Sequence, residues 1–570
     1  MSTKPTNDEI HSALCAPGQY FEIETVPIRG VPTRTWKNAH RNLGAVLAQG
    51  AAAAGERDFI VLDDEHLSHA RHFDLATRFA ASLVRELGVR KGDRVAIAMR
   101  NLPEWSIAFF GATIVGAIAV PVNGFGTGEE LAFTIADADA KVVVADGERL
   151  ERLETQAGSL TGRAVIGTRL DDRKGRNDLP KDVRPFGGLV DREAEAPVVD
   201  IEPDDPATIF YTSGTTTLPK GVLGTHRNIC TNLMSLMFSS VRGSQRDEAP
   251  SAAPAGPPVM ILSVPLFHAT GCHSMLVGQV LFGGTLVFMR RWDPEVALDL
   301  IEMHRVTAFS GVPTMVWDIM NSPSLERRDL SSVGNFGGGG SAAPPELVRR
   351  IQARFPTAGA GTGYGLTETS SVTTSIGGSD YIARPDSVGV PVPICEVRIV
   401  DPLGNDVPVG DRGEIWIKGA NVVAGYWHRP EEEAAAFTEG WLHSGDIGRL
   451  DDEGFLYIVD RAKDIIIRGG ENISTLEVES ALIEHPAVLE VAVFATPHAT
   501  LGEEVGAVVR LQPGSAVTTD HLRAHAAVRL AAHKVPVHLW LTTEPFPRGD
   551  TGKTLKRAIQ AEYAPQVIAS

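Results

Sequence analysis

The stretch YTSGTTTLPKG (Tyr211–Gly221) brings two glycines, one lysine and six hydroxyl side chains into eleven residues. A polyphosphate is the ligand that suits such a stretch. Phosphate oxygens accept hydrogen bonds from backbone N–H and hydroxyl groups, and a lysine adds a point charge. Glycine lets the backbone approach and turn without a Cβ clash. PATIFYT (Pro206–Thr212) before it is β-rich, and HRNICTNLMSLMFSS (His226–Ser240) after it has a helical pattern. The loop is therefore expected to run from a strand end toward a helix. It is not G-x-x-x-x-G-K-[ST]: Pro219 takes the second glycine's place, and Gly221 follows the lysine. Taken alone, the stretch also reads as an ordinary Ser/Thr-rich surface loop.

Five further segments carry chemistry. GTGYGLTET (Gly361–Thr369) is a Gly/Thr-rich turn that ends in a carboxylate, and HSGDIG (His443–Gly448) sets an aspartate between glycines. DRAKDIIIRGGENIS (Asp460–Ser474) pairs an arginine with a later Gly-Gly turn. PLFHATG (Pro265–Gly271) ends a strand with a histidine, and PRGDTGKTLKR (Pro547–Arg557) puts a lysine after a glycine turn.

In this order the segments resemble the core motifs of the adenylate-forming superfamily. That superfamily includes acyl-CoA synthetases, 4-coumarate–CoA ligases, firefly luciferase and peptide-synthetase adenylation domains. The resemblance spans about residues 60 to 560 and implies an α/β fold: a large N-terminal domain of parallel-rich sheets, 1–460, and a small mobile α+β domain, 461–570. It implies ATP, Mg²⁺ and coenzyme A. A carboxylate attacks the α-phosphorus to give acyl-AMP and pyrophosphate, and a thiol then displaces AMP. An anion meeting a polyanion leaves catalysis mainly to positioning and charge neutralisation.

By resemblance, Thr212, Ser213, Gly214, Thr215, Thr216 and Lys220 line the loop over the β- and γ-phosphates. Tyr364 stacks on adenine, Thr367 contacts the α-phosphate and Glu368 holds Mg²⁺. Asp446 and Arg461 take the ribose. Lys553 bridges the acid and the α-phosphate, Lys463 is the hinge, and Gly469 and Gly470 face pantetheine. His268 is either an acyl-pocket gate with a catalytic role or a buried structural histidine. Two positions depart from the pattern: Thr217 replaces a glycine, which implies a stiffer loop, and Thr475 stands where proline is common.

The acyl pocket should exclude α-amino acids. No acidic residue lies between Met260 and Gln279, and an unpaired buried ammonium is costly. Gly365 stands where acetyl-CoA synthetases carry tryptophan, so it is expected to leave the pocket floor open. Thr270, Val312, Gly338 and Gly339 would add small walls. The expected substrate is a medium- or long-chain, branched or aromatic acid. The alternatives are a ligase that loads a carrier protein and a nucleotide-binding homologue that has lost catalysis.

These residues need elements to position them. The chain has 570 residues, 43% hydrophobic and 22% charged, so several compact units are expected. Its net charge of −18 argues against broad binding to nucleic acid or anionic membrane. Four cysteines without a C-x-x-C fit a reduced, cytoplasmic protein, and a homodimer is left open. No signal-like h-region opens the sequence. IAFFGATIVGAIAVPV (Ile107–Val122) reads as a buried helix followed by a buried strand. One helix is expected around Asn38–Ala54, and strands alternate with helices up to about Asp460, as in largely parallel sheets. A small α+β unit follows. HLSHARH clusters His66, His69 and His72, read as solvated positions beside a turn.

Overall fold

The computed structural model describes residues 4–568 except 157, 173–181, 196, 213–218, 247–255, 341–342 and 551. An eight-stranded sheet runs from Val183–Pro185 through Ala164–Thr168, Val142–Asp146, Arg94–Ala98 and Ile118–Pro121 to Pro206–Thr212. These six strands are parallel to one another, and the sheet continues past Pro206–Thr212 by antiparallel pairing to Lys220–Thr225 and Gly425–Tyr426. Their near-continuous Val, Ile and Ala content suits burial on both faces. A second parallel block, Asp58–Leu62, Thr285–Phe288, Val259–Leu262, Ala308–Gly311, Asn335–Gly339 and Gly359–Tyr364, lies in a fourteen-stranded sheet. The helix Pro103–Thr113 is buried at every position except Glu104, with Trp105, Phe109 and Phe110 fully covered. Gly116, at φ +72°, turns the chain into the buried strand Ile118–Pro121, as expected for that apolar run. No helix among the described residues is long and apolar enough to cross a membrane.

The expectation of largely parallel sheets fails after Tyr364. Thr374–Gly377, Ser387–Pro391, Leu456–Arg461, Trp441–Leu450, Gly413–Lys418 and Glu396–Val400 extend the second sheet entirely by antiparallel pairing. Short connections with few helical stretches permit only this. The lead-in helix is Leu43–Ala54, later than expected, because the Asn42 side chain caps it by accepting from Ala45 N.

Two histidines of HLSHARH are not solvated. Ser68 caps the helix His69–Arg85, which turns His69 and His72 inward with Ala76, Phe79 and Leu83. His69 Nε2 meets Gly284 O at 3.0 Å, and His72 Nε2 meets Ser106 Oγ at 2.8 Å. His66 is exposed and pairs with Asp58 at 2.8 Å.

After Arg461 the chain enters a five-stranded sheet built on the hairpin Val488–His498 and Gly502–Leu511. Thr475–Ile483, Thr519–Ala527 and Lys556–Tyr563 are its helices. Thr475 is more than tolerated: its N–H and Oγ1 both donate to Asp460 Oδ2, at 2.6 and 2.9 Å. A proline could not make the first of these bonds.

Candidate active site

The phosphate-type loop joins two strands, not a strand and a helix. Pro206–Thr212 and Lys220–Thr225 form an antiparallel hairpin in which Thr212 faces Lys220. KGVLGT pairs as a strand before the helix His226–Arg246 begins. Ser213, Gly214, Thr215 and Thr216 lie outside the described residues, as does Thr217. Gly221 is required by packing: a Cβ there would fall 2.8 Å from Ile209 Cγ2 and 3.1 Å from Trp427 Cβ. That closeness admits the short strand Gly425–Tyr426 along the hairpin.

Tyr426 then links two motifs. The ammonium of Lys220 lies 4.4 Å from its ring centroid, and its hydroxyl donates to Glu368 Oε1 at 3.0 Å. Val423 N donates to Glu368 O at 2.9 Å, which fixes the turn Thr367–Thr369. Sequence reasoning missed Tyr426, because a tyrosine in a two-residue strand carries no spacing signal.

HSGDIG and DRAKD meet because Asp446 and Arg461 are cross-strand partners. Arg461 Nε lies 3.4 Å from Asp446 Oδ1, and the Tyr364 hydroxyl donates to Oδ2 at 2.7 Å. Asp446 is 5% exposed. Burial raises its carboxyl above the ordinary value, opposed chiefly by Arg461. Burial and the adjacent Asp446 push the Tyr364 phenol well up.

Lys553 comes to the same place from the small C-terminal sheet. A Cβ on Gly340 would lie 3.7 Å from its Cε and 3.8 Å from its Nζ. Thr314 Oγ1 donates to Gly552 O at 3.0 Å, and Arg548 grips Asp318 at 2.7 and 3.1 Å. Burial, reinforced by Arg461, pushes the Lys553 ammonium down to about 8. Burial drives the His268 imidazole to about 3, with Lys553 acting in the same direction, so His268 is neutral at physiological pH.

His268 precedes a π-helical segment, Thr270–Leu276. A Cβ on Gly338 or Gly339 would make only ordinary contacts among the described residues, at 3.9 Å to the neighbouring strand. Val312 lines the approach to Lys553, its Cγ1 lying 3.8 Å from the Gly340 Cβ position. Gly365 is a correction. A Cβ there would sit 1.7 Å from Ser371 O and 2.6 Å from Ser371 C, so the position faces backbone rather than an open pocket floor. The turn Gly469–Gly470, at φ +57° and +92°, is exposed beside Leu501 and is not gathered with these groups. Lys463 is exposed on the short connection between Leu456–Arg461 and Ile466–Arg468.

Among the described residues no cluster of three or more ligating side chains occurs. Glu368 Oε2 has no hydrogen-bond partner among them. A carboxylate oxygen without a partner among the described residues fits magnesium, which takes one or two carboxylates plus phosphate oxygens.

The model of the AMP-binding enzyme family matches residues 47–427, and that of the AMP-binding enzyme C-terminal domain matches 477–553. The chain belongs to the AMP-binding enzyme family. This AMP-binding enzyme is 32% identical over 549 residues to a long-chain-fatty-acid–CoA ligase of Bacillus subtilis (strain 168), covering 92% of this chain and 95% of the relative. It is 34% identical over 511 residues to a feruloyl-CoA synthase of an Amycolatopsis species, covering 87% and 96%. Among solved structures, ATP-bound MatB from Rhodopseudomonas palustris superposes with a TM-score of 0.79 at 29% identity, over 92% of this chain and 99% of that one.

Proposed function

We propose that this AMP-binding enzyme activates a medium- or long-chain, branched or aromatic carboxylic acid. It is an acid–CoA ligase that consumes ATP and CoA and requires Mg²⁺. The acid's oxygen attacks the α-phosphorus and pyrophosphate leaves. The CoA thiol then attacks the acyl carbon and AMP leaves, which gives acyl-CoA.

The observation that carries this reading is the seating of Lys553. A largely buried ammonium with no ion pair within 4.0 Å among the described residues stands where the nucleotide side (Asp446, Arg461) and the acyl side (His268) converge. Such a charge is costly unless an anion joins it. In our reading Lys553 neutralises the meeting of carboxylate and α-phosphate, helped by Thr367. Tyr364 borders adenine, and Asp446 with Arg461 takes the ribose hydroxyls. Thr212 and Lys220, with Ser213, Gly214, Thr215 and Thr216 between them, hold the β- and γ-phosphates. Bound to Glu368, Mg²⁺ would supply a counter-charge to those phosphates.

Gly338 and Gly339 leave room for the acyl chain, with Thr270, Val312 and neutral His268 as its other walls. This assignment replaces the role given to Gly365. The names of the relatives support an aromatic or fatty acid. We divide the chain into 1–460 and 461–570, with Lys463 as the hinge. Rotation about it would bring Gly469 and Gly470 to pantetheine for the second step. The four cysteines, all free, agree with a cytoplasmic enzyme. A homodimer is the assembly to test, by light scattering at assay concentration.

The deciding experiment is a panel of carboxylic acids assayed for pyrophosphate and AMP with CoA or a holo-carrier protein as acceptor. Turnover of aromatic or C8–C16 acids with CoA is expected. Preference for acetate, or transfer only to the carrier, overturns the reading.

A further inference from the structure

The loop Asn123–Gly126 follows the buried strand Ile118–Pro121 and is gripped by three arginines. Arg149, which is 2% exposed, donates Nε to Gly124 O at 2.6 Å and is itself fixed by both oxygens of Asp146. Arg152 Nη1 donates to Phe125 O at 3.1 Å and to Gly126 O at 2.6 Å. The Arg100 guanidinium lies 3.6 Å from the Phe125 ring centroid. A Cβ on Gly124 would meet Met99 O at 2.7 Å, so the backbone is pressed against the end of a neighbouring strand. Asn123 Oδ1 accepts from Phe125 N at 2.9 Å, which fixes its amide plane. Three successive carbonyls held by buried or part-buried cations make a rigid presenting element.

That loop faces two partners. Phe125 meets the edge of Phe267, beside His268, with ring centroids 5.9 Å apart. Asn123 Nδ2 donates to Asp550 Oδ2 at 2.7 Å. Asp550 lies on the Lys553 loop, which is otherwise tied to the large domain through Thr314 and Asp318.

We propose that Asn123 and Asp550 form a latch that seats the Lys553 loop for adenylate formation, with the arginine-held loop keeping the latch aligned with the acyl wall. This rests on the reading of Lys553 as the residue of the first half-reaction. Neither latch residue touches the reacting atoms; both are positioning residues. An exposed pair of this kind contributes little to global stability. It exists only in the arrangement that seats Lys553, so its free energy goes into the balance between arrangements. Because the amide is already fixed, forming the bond orders little beyond Asp550. A hydrogen bond to a charged acceptor, discounted for exposure, corresponds to about threefold to tenfold in that balance.

The test uses the full-length enzyme with the best acid from the panel above. Pyrophosphate release without CoA is followed in single turnover, and conversion of the synthetic acyl-adenylate plus CoA is followed separately. Asn123→Ala and Asp550→Ala should each slow pyrophosphate release by about threefold to tenfold and leave thioester formation at the wild-type rate. The double variant should be no slower than either single one. Exchanging the pair, Asn123→Asp with Asp550→Asn, should restore the rate, because the amide and carboxylate trade places. Losses shared equally by both half-reactions, additive losses, unchanged pyrophosphate release or failure of the exchange to restore it would overturn the latch. Lys553→Ala separates the two readings. If it keeps normal pyrophosphate release, the role of Lys553 itself is wrong; if it loses release while Asn123→Ala does not, only the latch falls.

Discussion

Two tyrosine–carboxylate pairs, Tyr364–Asp446 and Tyr426–Glu368, differ in the burial of their acids. Asp446 is buried, whereas Glu368 is only half-buried. The hydrogen bonds are alike, at 2.7 and 3.0 Å. The remaining oxygens are not. Asp446 commits its second oxygen to Arg461, whereas Glu368 Oε2 has no partner among the described residues. A fully engaged acid can recognise neutral hydroxyls in a fixed geometry. An acid with one free oxygen can take a cation. On the proposed reading, the carboxylate with both oxygens engaged would recognise hydroxyls and the other would hold the metal, although the two share the same hydrogen bond.

Breaking the metal-holding member should cost most. Glu368→Gln keeps the Tyr426 contact but removes the charge, and should slow pyrophosphate release by on the order of 10³. Undiminished release at limiting Mg²⁺ would contradict the assignment. Lys553→Ala should cost on the order of 10² in the same step and spare transfer from a supplied acyl-adenylate.

Acid–base behaviour sharpens the contrast. Lys553 must be protonated to neutralise the reactants, and its ammonium is held down to about 8. For the adenylation step, kcat/KM should therefore be full below pH 8 and fall as pH rises through that value. Lys553→Arg should remove the falling limb, since arginine stays charged. A limb that persists in the arginine variant belongs to another group.

On the recognition side, Asp446→Asn should raise the KM for ATP by about tenfold, with little change in the Mg²⁺ requirement. The smallest effects should come from the phenols. Tyr364→Phe and Tyr426→Phe should each cost about threefold, the first in the KM for ATP and the second in the Mg²⁺ concentration needed for half-maximal rate. If both variants move the same parameter, the division of labour between the pairs is wrong.

The residues that the sequence groups and the structure brings together are those in short motifs. Lys220, Glu368, Asp446, Arg461 and Lys553 stand in short glycine-punctuated segments, and the parallel strands announce themselves by apolar runs. What was not readable depended on direction. Spacing places Gly365 near the pocket but says nothing of where a Cβ would point, which is into Ser371 O. His69 and His72 follow the helical period of the apolar residues around them, a signal that the turn-like context of HLSHARH hides. KGVLGT escaped as a strand because its glycines mask the alternation. Tyr426 reaches Glu368 only through tertiary pairing.

The seating of Lys553 against Gly340 also fixes an order of assembly. Thr212 and Lys220 belong to one hairpin, and hairpins close within microseconds. Glu368 and Tyr426 are separated by 58 positions in the chain, and Tyr364 and Asp446 by 82. Lys553 reaches Gly340 across a longer stretch than either. Contacts between distant residues wait on loop closure, so the lysine is expected to be among the last of these groups to arrive. A refolding chain should therefore regain its strand signal first and pyrophosphate release only afterwards, which would make catalytic competence a marker of completed folding.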